Sequence, residues 1–218
     1  MKISLLTCIA IGLFGLVLYF KTSNPYYDPN KAHHTSTGFK NPYLEQDNQS
    51  KSFSDLFKMM TTKRPNPKPQ IGKNLSIDSM IQKIDSNNNF ITWVGHSTML
   101  LHINSKTILT DPIFSDRCSP VQFLGPKRYS SPTIDIELLP KIDLIVISHN
   151  HYDHLDKNSV EILGKDSSTV WYVPLGLKKW FDKLNITNVI ELDWFEERRL
   201  DNVETICLPS QHLSLIHI

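Results

Sequence analysis

The chain has 218 residues, a hydrophobic fraction of 40% and a formal net charge of +1. That length suits one domain with an appendage, and the apolar content permits a packed core. The near-neutral balance, without a long basic run, excludes nucleic acid as the main partner. The cysteines, Cys8, Cys118 and Cys207, lack any C-x-x-C pairing and make no disulfide framework.

Ile3 to Phe20 is nearly all apolar and is bracketed by Lys2 and Lys21. This is close to the ~20 residues that cross a bilayer as a helix. A cleaved signal peptide is the rival reading. No small-x-small cleavage site precedes Lys21, and the segment ends in bulky Leu18-Tyr19-Phe20. An uncleaved anchor over residues 1–21 is therefore expected, which implies membrane association. The flanking lysines balance, so they set no orientation. Residues 22–88 read as a linker and N-terminal extension, rich in Pro, Asn, Ser and Lys. Ser54 is placed to cap a short helix with Leu56, Phe57 and Met60 on one face. His33-His34 read as an ordinary linker pair.

From residue 89 onward the pattern is that of an α/β domain. Phe90 to Val94 and Thr98 to Ile103 read as strands around Gly95-His96, Asn104-Ser105 as a turn, and Thr107 to Thr110 as a third strand. His96, at a strand–turn junction, reads as a structural, hydrogen-bonding histidine, with a place lining the site as the less favoured alternative. Asp111-Pro112 opens a loop to Pro140, and loops of such length are often functional. Within it, Gln122, Phe123 and Leu124 are candidate substrate contacts, and Lys127 and Arg128 candidate partners for phosphate. Ile142 to Ile147 is a β-branched apolar run, the pattern of a strand covered on both faces. Asp156 is expected to cap a helix from Lys157 to Leu163 that Gly164 ends. Val170 to Val173 and Val189 to Leu192 read as strands, Leu175 to Leu184 as a helix between them, and Thr205 to Leu208 as a last strand. Cys207 is expected in the core. Alternating strands and helices imply a layered α/β fold.

The chemistry concentrates after the apolar run, in Ser148-His149-Asn150-His151-Tyr152-Asp153-His154. In extended chain His149 and His151 point the same way, and Asp153 and His154 follow as the chain turns toward a helix. Imidazoles with a carboxylate suit zinc or a similar divalent ion. Structural zinc sites usually recruit cysteines, so the cluster reads as catalytic. By itself this pattern says "metal-dependent hydrolase" and no more.

The motif resembles the metallo-β-lactamase superfamily, and longer segments narrow the resemblance. FITWVGHSTMLL (Phe90 to Leu101), LTDPIFSDRCSPVQFLGPKR (Leu109 to Arg128), ISHNHYDHLDKNSV (Ile147 to Val160), WYVPLGLKKW (Trp171 to Trp180), NVIELDWFEE (Asn188 to Glu197) and PSQH (Pro209 to His212) are similar to the N-acyl-phosphatidylethanolamine-hydrolysing phospholipase D family. The resemblance implies an αβ/βα sandwich of metallo-β-lactamase type holding a pair of zinc ions at its edge. His149, His151 and His212 would hold one ion; Asp153 and His154, the catalytic pair, the other. The family needs a further bridging aspartate and a last histidine. The chain stops at Ile218, and Leu213 to Ile218 departs from the family pattern, so residues 89–218 are expected to be the first half of the sandwich, weakly active or inactive alone. The implied substrate is a phospholipid at a membrane surface, cleaved to an N-acylethanolamine and phosphatidic acid. Two rivals stand: a lactonase or soluble phosphodiesterase of the same superfamily, and a membrane-anchored metal-binding protein without catalysis.

Overall fold

The structure, a computed structural model, describes residues 23–43 and 77–210. The apolar segment Ile3 to Phe20, the helix expected after Ser54, and His212 with the residues after it lie outside the described residues. Among the described residues no helix is long and apolar enough to cross a membrane. The described residues divide into two compact units, 23–43 and 77–210.

The first unit is a small hairpin, β1 (His34–Thr35) against β2 (Gly38–Phe39). The Asn24 amide ties it by donating to the carbonyls of Thr35 (3.1 Å) and Gly38 (2.8 Å). His34 Nδ1 accepts from the Asp28 amide at 3.1 Å, and His33 and His34 are both buried, unlike the solvated pair expected of a linker.

The second unit begins with helix α1 (Ile77–Asp85), inside the stretch expected to be linker. Its signal was the spacing of Ile77, Met80, Ile81 and Ile84 on one helical face; Met80 is buried. Strands β3 (Phe90–Gly95), β4 (Thr98–Ile103) and β5 (Lys106–Thr110) form an antiparallel meander. Asn104 and Ser105 both take positive φ (51° and 64°), the hairpin turn whose twist matches the strands it joins. β6 (Leu144–Val146), β7 (Val170–Pro174) and β8 (Val189–Leu192) continue the sheet in parallel, in the order β3-β4-β5-β6-β7-β8. The crossovers carry helices α2 (Lys157–Leu163) and α3 (Lys178–Asp182). α3 starts later than expected, after Gly176 at φ 89°, and ends at Asp182.

Period-two alternation sorts the strand residues between two apolar layers. Leu109, Ile145, Trp171 and Val173 pack with Met80 of α1, Val160 of α2 and Phe181 of α3. Ile108, Leu144 and Tyr172 face the other way and pack with Val203. The last residue belongs to a hairpin absent from the sequence reading, β9 (Glu197–Leu200) against β10 (Val203–Ile206). The expected strand at Thr205 to Leu208 thus starts and ends earlier; Leu208 is exposed, and Cys207 lies at the margin of the second layer.

Asp156 stands at the N-terminus of α2 but does not cap it. Its buried carboxylate accepts instead from the amides of Phe114 (3.3 Å) and Ser115 (3.0 Å) and from Ser115 Oγ (2.8 Å). A buried charge is retained where several donors satisfy it, and here the donors come from the loop after β5 and from Ser159 Oγ of α2.

Candidate metal centre

Topology delivers the polar residues to one edge. β5 and β6 are parallel, so their C-terminal ends coincide, with Asp111 following β5 and Ser148-His149 following β6. β4 runs antiparallel to β5 and pairs Met99 with Thr110, which brings the β3–β4 turn, His96-Ser97, to the same edge. Ligands in open α/β sheets bind at this carboxyl edge.

Past β6 the chain turns at His151: its carbonyl accepts from the amides of His154 (2.9 Å) and Leu155 (2.7 Å). The turn folds the motif back on itself. Ring centroids of His149 and His151 are 4.9 Å apart, and those of His149 and His154 4.0 Å. Asp153 Oδ2 lies 3.8 Å from His154 Nε2. The four clustered residues named from the sequence are therefore brought together.

Two residues not assigned to the site join them. Asp111, buried and at φ 39°, accepts from the Ser148 amide (2.7 Å), Ser148 Oγ (2.7 Å) and His154 Nδ1 (2.8 Å). This carboxylate sets tautomers. His154 must carry its proton on Nδ1 to donate to it, which leaves the lone pair on Nε2, facing Asp153. Ser148 spends its single proton on Asp111, so at 2.9 Å from His149 Nδ1 it can only accept. His149 then also carries its proton on Nδ1 and its lone pair on Nε2. Outer carboxylates commonly orient metal-binding histidines in this way.

The second is His96, expected to be structural. Its Nε2 lies 3.2 Å from Asp153 Oδ2. Ligand atoms of His96, Asp153 and His154 all lie within 4.8 Å of one another. The His96 hydrogen bond is the main reason that Asp153 is held down to about 2, against a smaller opposing effect of burial. For His154, burial is the largest single influence and pushes the imidazole down, but the Asp111 hydrogen bond and the charges of Asp111 and Asp153 together raise it above the usual 6.5.

The loop candidates lie differently. Phe123 and Leu124 are exposed, at 84% and 67%. Gln122 turns back on its own loop, accepting from the Arg117 amide and donating to the Arg117 carbonyl, both at 3.1 Å. Arg128 is committed to structure: its guanidinium donates to the carbonyls of Ser130 (2.7 Å), Ile113 (3.4 Å) and Ser115 (3.4 Å), and burial pushes it down. Lys127 is exposed, 3.8 Å from Asp116.

Clustered imidazoles with preset Nε2 lone pairs beside a carboxylate fit a divalent metal ion. The cluster at the carboxyl edge of this mixed sheet is a candidate metal-binding site. The chain belongs to the β-lactamase superfamily: the family model for the beta-lactamase superfamily domain matches residues 106–217. It is 44% identical over 133 residues to N-acyl-phosphatidylethanolamine-hydrolyzing phospholipase D 1 of Caenorhabditis elegans, covering 56% of this chain and 37% of that protein. It is 43% identical over 127 residues to the mitochondrial enzyme of the same description from Saccharomyces cerevisiae, covering 56% and 27%. A metal-dependent hydrolase of Caldivirga maquilingensis is 29% identical over 126 residues, covering 57% and 49%. The chain thus spans half or less of the length of these relatives.

Proposed function

We propose that this chain carries the metal-binding part of a zinc-dependent phosphodiesterase of phospholipase D type, acting on N-acyl-phosphatidylethanolamine. The observation that carries the reading is the cluster of His149, His151, Asp153 and His154, with Asp111 setting the protons of two of its imidazoles. The likeness to the nematode and yeast phospholipases supports the substrate. His149 and His151, with His212, would hold one ion, and Asp153 and His154 would hold a second. When bound, such an ion supplies Lewis acidity, making water nucleophilic near neutral pH and offsetting charge on phosphoryl oxygens.

The chain's own residues do the positioning. Asp111 keeps Nδ1 of His154 protonated and, through Ser148, does the same for His149, so both Nε2 atoms offer lone pairs. Asp153 stays ionised to about 2 and so presents a carboxylate at every physiological pH. In the overall reaction the oxygen of water bonds to phosphorus as the P–O bond to the ethanolamine breaks. The N-acylethanolamine leaves with the proton, and phosphatidic acid remains. Gln122, Phe123 and Leu124 are proposed to meet the lipid: the exposed Phe123 and Leu124 suit acyl chains, and Gln122, tied to Arg117, holds the loop that presents them. The segment Ile3 to Phe20 would hold the protein at the bilayer.

The test is release of phosphatidic acid from vesicles containing N-acyl-phosphatidylethanolamine, by the zinc-loaded 218-residue chain and by the full-length nematode relative. We expect measurable hydrolysis by both, slower for this chain, which spans 37% of that relative. Turnover confined to soluble phosphodiesters or lactones supports the other hydrolase reading. Retained metal without any turnover supports the non-catalytic one.

A further inference from the structure

We propose that His96 is a positioning residue for the metal centre: it donates its Nε2 proton to Asp153 Oδ2 and thereby aims the carboxylate at the metal position beside His154 Nε2. The inference rests on the metal-centre reading above and adds a residue that the motif does not contain.

The turn that carries His96 is built for this placement. His96 takes φ 49°, a conformation uncommon for residues other than glycine and maintained only where surroundings over-determine it. The surroundings do so. The Trp93 indole donates to the His96 carbonyl at 2.8 Å. Thr110 Oγ1 donates to the Ser97 carbonyl at 3.2 Å. Ser97 Oγ reaches the Asp153 carbonyl at 3.4 Å, so the turn meets the Asp153 segment through two residues.

Fold stability does not explain the pairing. The side chains of His96 and Asp153 are 50% and 38% exposed, and exposed ion pairs contribute little. Geometry separates positioning from direct coordination. Atoms sharing a tetrahedral metal with bonds near 2.1 Å sit about 3.4 Å apart or more. The contact of His154 Nε2 with Asp153 Oδ2, at 3.8 Å, has room for a shared ion. The 3.2 Å between His96 Nε2 and the same oxygen is hydrogen-bond length. A carboxylate oxygen has two lone pairs. One accepts from His96, and the other faces His154. Without the first contact the carboxylate is free to rotate, and binding an ion must order it.

The experiment compares His96→Ala and His96→Gln with the native 218-residue chain. Zinc affinity is read against a competing chelating dye, stoichiometry by elemental analysis, and coordination by the visible spectrum of cobalt(II). Loss of such an outer contact typically costs 10- to 100-fold in metal affinity. We expect that loss for the most weakly held ion in His96→Ala. Glutamine places an amide donor near the position of Nε2, so His96→Gln should recover most of the affinity. Unchanged affinities in His96→Ala overturn the proposal. A His96→Gln variant as weak as His96→Ala, with an altered cobalt spectrum, also overturns it and makes His96 a direct ligand. A native chain that takes up no zinc or cobalt overturns the metal-centre reading and this inference with it. Thermal melting of the metal-free proteins tests folding, and should His96→Ala fail to fold, His96→Leu takes its place as the variant without a donor: lost affinity there, recovered in His96→Gln, bears the proposal out, and native affinity there overturns it.

Discussion

Replacing Asp111 by asparagine changes one oxygen to an amide nitrogen and should disorganise two imidazoles at once. In the native chain the carboxylate receives three donors, from the Ser148 amide, Ser148 Oγ and His154 Nδ1. Asparagine can still accept from the Ser148 amide through its oxygen. Its NH2 then meets a hydroxyl and an imidazole that were both donating. Relief comes if Ser148 accepts from the amide and donates to His149 Nδ1, and if His154 moves its proton to Nε2. Either change replaces a metal-binding lone pair with an N–H. A hydrogen bond to a charged group contributes about 1.5–3 kcal/mol, and 1.4 kcal/mol is a factor of ten. Zinc affinity should therefore fall roughly 10- to 100-fold, the range typical of outer-shell losses. Competition titration against a chelating dye measures it, and long-range 15N–1H correlation spectra of the metal-free protein read the tautomers directly. Native affinity, or unchanged tautomers in Asp111→Asn, would refute the argument that this carboxylate sets the protons of the site.

Further outcomes follow from the same contacts. Metal affinity should fall with falling pH, starting above 6.5, because the raised His154 must lose a proton to bind. In the metal-free protein the sign reverses: a raised histidine adds stability that is complete below 6.5 and is lost as pH rises through its folded value. Zinc titrations between about pH 5 and 8, where histidines change charge, check the first statement; affinity indifferent to pH there contradicts it. Asp156→Ala should lower stability to denaturant by about 2 kcal/mol, since it removes the charged acceptor of the Ser115 amide and Ser115 Oγ, while the Phe114 amide keeps Ser159 Oγ at 2.9 Å. A loss below about 1 kcal/mol, the value of one ordinary hydrogen bond, sinks that account.

What could be read from the sequence was whatever is encoded by neighbours along the chain. The apolar, β-branched run in Ile142 to Ile147 announced a buried strand, the polar break after it announced a sheet edge, and His149, His151, Asp153 and His154 follow directly on that edge. The turn at Asn104-Ser105 and the helix Lys157–Leu163 were legible for the same reason. Helix α1 was missed because its apolar stripe sits in a polar stretch, and β9 because Glu197–Leu200 is nearly all charged and exposed. Asp156 was read as a cap from its position, when its carboxylate is held by a loop 41 residues away.

Only the tertiary structure decided the partners of the motif. Asp111 meets His154 across 43 residues and His96 meets Asp153 across 57. Those meetings follow from strand order, with an antiparallel β4 returning the β3–β4 turn to the edge where parallel β5 and β6 end. Spacing along a strand is written in the residues themselves. Which strands lie side by side is set by how the apolar faces of the whole sheet find cover, and no local pattern carries that information.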